Sequence, residues 1–409
     1  DYENTFGEML GYEIGAKATI RDFEKDLTYL QNEYENDYQE DVYAAYLVSQ
    51  YEVTDRFGFK FGARAEQVKT FADLKGPILT ANDSVNILTH LFERGIIKGP
   101  YDPDYFKLYP SAFLLYKLTN RQTIQFGYSK KVNRPGRRTI SPFPDNTLDI
   151  TRLRSGNPYL EPEFSDVMEL TFSSNTRKLN LNLSTSYKNT KDVIMWWDRE
   201  NVTFIDSAKL PDPDTTTYEI MTAGNADKSV SQNFSGNIMY RPMPLASIMV
   251  WGWGWNSFQE GQRVDGDGKS RGFGFGGRLT LNMPTIARLE LSGNGRAKMK
   301  ISTGEIPANY RINLGIQKSF LQNSLSATFK IDDIFNTGKF IIDTDSKVTN
   351  AATGETYRQL MYAERQRQKR YASIVLNYNF GKQQKKKWNR GNFSGRSGGM
   401  GGGGMDMDY

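Results

Sequence analysis

The stretch Ile194 to Phe204, IMWWDRENVTF, holds the residues best suited to grip a ligand. Trp196 and Trp197 can stack on a sugar or another flat molecule, with Asp198 and Arg199 as its polar partners. In an extended strand adjacent side chains point to opposite faces, so one of the two tryptophans must face outward. The pair therefore suits an interfacial aromatic girdle as well. Groups for covalent or metal chemistry are scarce. His90 is the only histidine and there is no cysteine, which leaves neither a catalytic triad nor a zinc site. Asp332 and Asp333 are neighbours in sequence, but on a strand they diverge and mark a strand end. Asp265 and Asp267 in VDGDGKS resemble half a calcium loop without its distal glutamate, and a tight exposed turn explains them. GFGFGG at 272–277 is followed by no helix whose N-terminus could hold a phosphate, so it reads as a glycine-rich strand. No catalysed reaction, cofactor or metal is expected.

The elements that must carry these residues are strands. In KLNLNLSTSY, Leu179, Leu181, Leu183 and Tyr187 share one face, while Asn180, Asn182, Ser184 and Ser186 share the other. The same alternation recurs through Ile124 and Phe126, Leu279 and Leu281, Leu289 and Leu291, Ile312 and Leu314, and Ile374 and Leu376. It predicts about fourteen strands, near 8–22, 39–54, 57–72, 105–118, 121–132, 164–174, 178–190, 229–241, 246–258, 270–282, 287–299, 309–320, 324–335 and 367–380. Most reach the roughly 9–11 residues that a tilted strand needs to cross a bilayer.

Short turns near Thr54, Thr119, Asn175, Met243, Pro284 and Gln322 alternate with long segments at 23–38, 73–104, 133–163, 191–228, 259–269, 300–308 and 336–366. Long loops are uncommon in compact domains, and one cause explains their regular phase: an antiparallel up-and-down transmembrane barrel with tight periplasmic turns and long extracellular loops. That phase puts both chain ends on the periplasmic side. A soluble β-sandwich or lectin would alternate likewise, as the competing reading.

Composition agrees. Aromatics make up 13% of the 409 residues, which favours strands, and no apolar run approaches the length of a membrane-spanning helix. A net charge of +5 is too dilute to argue for nucleic acid. Residues 381–409, rich in glycine with Lys385, Lys386, Lys387, Trp388 and Arg390, form an expected disordered periplasmic tail behind a barrel over 1–380. Trp251, Trp253 and Trp255 occupy alternate positions of one strand and are expected to face lipid, as are Phe273 and Phe275 in the next.

Asn133, Arg134, Pro135, Pro142, Phe143, Gly156, Asn157, Pro158, Leu160, Pro162 and Glu163 form one motif. In a second, a tyrosine-rich strand leads into Gly62, Arg64 and Glu66. The two resemble the barrels of TonB-dependent outer-membrane receptors, especially the outer-membrane β-barrel family common in Bacteroidetes. Asp333, Phe335 and Asn336 match a further element, and Tyr378 and Phe380 resemble the terminal aromatics read by the barrel assembly machinery. The resemblance implies a receptor for uptake of a nutrient such as an iron chelate, glycan or peptide, with outer-membrane lipid around it. It also implies energy from the TonB system through a plug and TonB box that this chain does not show, and hence a C-terminal portion of a larger barrel. A self-contained passive pore is the alternative.

Overall fold

The computed structural model describes residues 1–6, 10–29, 32–75, 100–143, 145–149, 152–206, 214–261, 268–302, 304–321, 324–349, 356–366 and 369–380. His90, the Asp265–Asp267 turn and the 381–409 tail lie outside them.

One antiparallel meander runs through β1 (Tyr2–Phe6), β2 (Leu10–Tyr29), β3 (Asn32–Glu52), β4 (Phe57–Lys75), β5 (Asp104–Thr119) and β6 (Gln122–Asn133). It continues through β9 (Glu163–Asn175), β10 (Leu179–Asp206), β11 (Asp214–Met243), β12 (Ala246–Glu260), β13 (Lys269–Met283) and β14 (Ala287–Arg296). It ends with β17 (Asn309–Phe320), β18 (Leu325–Asp332) and β21 (Tyr371–Tyr378). The fourteen expected strands are all present in order, and the fold is all-β and antiparallel.

Three features differ from expectation. β1 is an additional short strand on β2, so Tyr2 pairs with Ile14 partway up the wall and the chain does not start at the turn end. The described residues of the segments 23–38 and 191–228 are not loops: they extend the β2–β3 and β10–β11 hairpins. β10 has 28 residues and β11 has 30, so β10 extends roughly 90 Å, far beyond a hydrocarbon core of about 30 Å. Smaller hairpins fill two other connections, β15 (Met299–Ile301) with β16 (Gly304–Ile306), and β19 (Phe340–Thr349) with β20 (Thr356–Arg365).

The register separates two faces across the whole sheet. One rung joins Leu279, Leu291, Leu314 and Ile331 from β13 to β18. It belongs to an apolar face on which Leu47, Phe61, Leu114, Phe126, Leu170, Leu183, Ile238 and Ile316 stand exposed. Such a surface is the lipid face of a membrane barrel. The opposite rung runs through Gln125, Thr171, Ser184 and Ser235 to Trp253, then Gly274 and Arg296. That face is polar.

The tryptophans thus face the other way from expectation. Trp251, Trp253 and Trp255 belong to the polar face, because the other side of β12 carries Ile248 and Val250, which pair with Leu279 and Ile238 on the apolar rungs. Phe273 and Phe275 lie on the apolar face, 52% and 47% exposed, opposite Gly254 and Gly252.

The segment between β6 and β9 folds onto the polar face. It contains a helical turn, Arg137–Ile140, and a hairpin of β7 (Asp145–Asp149) with β8 (Arg152–Ser155). Ile140 packs with Tyr38 of β3 and Ala72 of β4, while β8 runs parallel to β11. β4 and β11 are five ladder steps apart, roughly 24 Å along a flat sheet. One short loop touches both only because the sheet curves around it, which makes the polar face concave. Among the described residues, the outer edges of β1 and β21 have no strand partner.

Candidate functional site

The described part of the inward loop holds several buried residues, and its sequence explains why it can. Pro142, Phe143, Leu153 and Leu160 supply buried apolar bulk. Its backbone groups find partners: Gly156 N–H donates to the Ser141 carbonyl at 2.8 Å, Asn157 N–H to that of Thr139 at 2.7 Å, and Ser155 Oγ to that of Pro142 at 2.6 Å. Gly156 is needed for close approach, since a Cβ there would lie 2.5 Å from the Ser141 oxygen.

The two sequence motifs meet at the root of this loop. Arg134 pairs with Glu66 of β4 and lies 3.8 Å from Glu40 of β3, two carboxylates that are only 3% and 2% exposed. Arg64 reaches Glu66 at 2.5 Å and Arg21 reaches Glu40 at 3.5 Å. Asn133 donates to Glu163 at 2.8 Å, and the other Glu163 oxygen accepts from Ile194 N–H at 2.6 Å. Asn225 of β11 pins the far side, donating to the carbonyls of Glu161 and Asp192 and accepting from Glu161 N–H. Charge and amide groups removed from water are stable only when paired in this way. Nothing in the alternation of the sequence singles out Asn225 or Glu40; their importance comes from contacts with distant segments.

Above the latch, β2, the loop and β10 enclose a cavity of about 260 Å³ lined by Phe23, Lys25, Arg137, Arg138, Phe143, Arg154 and Trp196, among others. Cations sit against its rings: Lys25 over Phe143 at 5.3 Å, Arg137 over Phe23 at 5.6 Å, and Arg154 over Trp196 at 5.6 Å. The described lining contains no carboxylate. A small cavity with a cationic rim on flat aromatic walls suits a ligand with anionic and planar parts. Of the residues singled out in IMWWDRE, Trp196 lines the cavity and pairs with Ala223; a register shift falls between it and Asp198. The side chains of Trp197, Asp198 and Arg199 are outside the described set.

Other candidates resolve into structural roles. Asp333 adopts φ 52° at the end of β18 and accepts from the N–H groups of Thr337 at 2.9 Å and Gly338 at 2.8 Å, so it caps a turn. Asn336 in the same turn accepts from Arg370 N–H at 3.2 Å. Glu24, Glu35 and Asp37 bring carboxylates together, but Lys75 stands among them, 2.5 Å from Asp37 and 3.4 Å from Glu35. Tyr378, the last residue of β21, and Phe380 just beyond it meet edge to face at 4.5 Å.

Solved structures that share the fold include proteins described as uptake receptors, import receptors and transporters. The ferric yersiniabactin uptake receptor FyuA from Yersinia pestis aligns over 91% of this chain and 51% of its own, at 14% identity and a TM-score of 0.56. The FrpB iron transporter from Neisseria meningitidis aligns over 91% and 54%, at 10% identity and a TM-score of 0.53. The ferric-catecholate import receptor Fiu from K12 E. coli aligns over 91% and 53%, at 11% identity and a TM-score of 0.52. The chain spans about half the length of these receptors, and at such identities the likeness is one of fold. No curated protein matches the sequence. Residues 1–365, most of the chain, match the model of the outer membrane protein beta-barrel family, and the chain belongs to that family.

Proposed function

We propose that the chain is the C-terminal part of the barrel of a TonB-dependent receptor that takes up a nutrient from outside the cell. The observation that carries this reading is the basic, aromatic cavity held on the concave face by an inward loop, under hairpins that rise far above the bilayer. A purely passive pore has no need of a latched ligand pocket. The unpaired edges of β1 and β21 support a larger barrel, because backbone groups at an open edge have no partner in hydrocarbon. The tight turns then face the periplasm and the long hairpins the exterior, and Tyr378 and Phe380 serve the assembly machinery. Among the nutrients that such barrels import, the cationic rim favours one with acidic groups, as in a chelate or an acidic glycan or peptide.

The test is growth and uptake by a strain lacking the gene, supplied with single iron chelates, glycans or peptides as the limiting nutrient. One class should fail to support growth, uptake should stop when a protonophore collapses the inner-membrane potential, and Arg137→Ala with Arg154→Ala should lower it at least tenfold. Steady conductance of the purified protein in a planar bilayer, with uptake indifferent to the protonophore, would establish the passive pore instead.

A further inference from the structure

Trp251, Trp253 and Trp255 stand on the concave polar face of an outer-membrane barrel, which demands a reason that lipid contact does not supply. Each faces a glycine of β13 across the strand pair: Gly276, Gly274 and Gly272 in turn. A Cβ on Gly274 would lie 2.5 Å from the Trp253 ring, and the other two glycines are overlaid by Trp251 and Trp255 in the same way. The indoles therefore lean across the neighbouring strand and lie along the wall. Trp253 and Trp255 overlap like shingles, their rings 18° from parallel with centroids 5.4 Å apart, and Trp253 remains 44% exposed.

The flanks are polar and almost uncharged. Asn233, Ser235 and Asn237 of β11 pair with Trp255, Trp253 and Trp251 on one side. Beyond the glycines stand Asn294 and Arg296, the latter on the rung of Trp253 and Gly274 with two buried nitrogens lacking a hydrogen-bond partner. Flat apolar ring faces bordered by amide, hydroxyl and guanidinium groups match a molecule with apolar ring faces and hydroxyl edges. We infer that the three tryptophans form a binding track for a saccharide chain along the lumenal wall. A peptide would ask for paired backbone donors and acceptors, which a sheet interior has already used, and a compact chelate would cover one indole, not three.

The track is separate from the cationic cavity, and its binding step does not depend on energy coupling. The full-length protein in detergent micelles is titrated with maltohexaose, cellohexaose, xylohexaose and mannohexaose, following tryptophan fluorescence and heat. At least one should bind saturably, with affinity lowered tenfold or more by Trp253→Ala and by Trp255→Ala, and largely restored by Trp253→Phe. Phe275→Leu on the lipid face should leave affinity within twofold, and heat-modifiable migration on gels reports that each variant is folded. Absence of saturable binding by all four, binding that survives both alanine variants, or indoles already shielded from acrylamide by a protein segment would each overturn the track. Uptake without hexasaccharide binding would remove the track and spare the receptor; binding without energy-dependent uptake would do the reverse.

Discussion

Arg134, just past the end of β6, closes an ion pair with Glu66 in the middle of β4, 68 residues earlier in the chain. Both groups are largely withdrawn from water, and the pair holds the base of the inward loop against the wall that Glu40 and Tyr38 also line. The cavity above the loop depends on that anchorage.

Breaking the pair on one side leaves Arg134 with only the longer contact to Glu40, or Glu66 with only the half-exposed Arg64. Glu66→Gln and Arg134→Met should each destabilise the protein by about 1–3 kcal/mol, while the double variant should cost less than the sum of the two. Urea unfolding in micelles measures this, and equal, additive losses would show that the two residues act separately.

Asn225 makes three hydrogen bonds that tie β11 to the loop and to β10. Asn225→Ala should cost about 0.5–1.5 kcal/mol, because the hydrogen bonds lost are exposed or part-buried. It should also expose the bonds around Glu161 to limited proteolysis, whereas the barrel strands stay protected.

The two faces predict opposite responses at adjacent positions of β14. Leu291→Arg places a charge on the lipid face and should cost about 2–4 kcal/mol near the bilayer midplane. Ser292→Glu, on the concave face opposite Arg278, should be close to neutral. Folding yield into lipid vesicles separates the two.

Tryptophan orientation is testable by quenching. Brominated acyl chains should leave the fluorescence of Trp253 nearly unchanged and strongly quench a Trp placed by Phe275→Trp, because residues 253 and 275 lie on opposite faces. Strong lipid quenching of Trp253 itself would reverse the assignment of the faces.

Gly274→Val should push the Trp253 ring from its place and destabilise by about 1–3 kcal/mol through overpacking. A combined Gly274→Val and Trp253→Ala variant should recover part of that loss.

The alternation of residues such as Leu179, Leu181 and Leu183 with Asn180 and Asn182 was enough to place all fourteen long strands in order, because lipid on one side and a polar lumen on the other impose a period of two. β1 escaped notice because five residues carry too little of that period, and the upper parts of β10 and β11 did so because beyond the bilayer neither face meets lipid. The resemblance motifs named Arg134, Glu66, Asn133 and Glu163 without saying that they touch. Alternation states which residues share a face but not which face it is, so the direction of Trp251, Trp253 and Trp255 was settled only by their neighbours Leu279 and Ile238 on adjoining strands. Local sequence determines the strand and its two sides; the partners that a strand finds across the sheet, far away along the chain, decide which side meets lipid and where charges and rings converge.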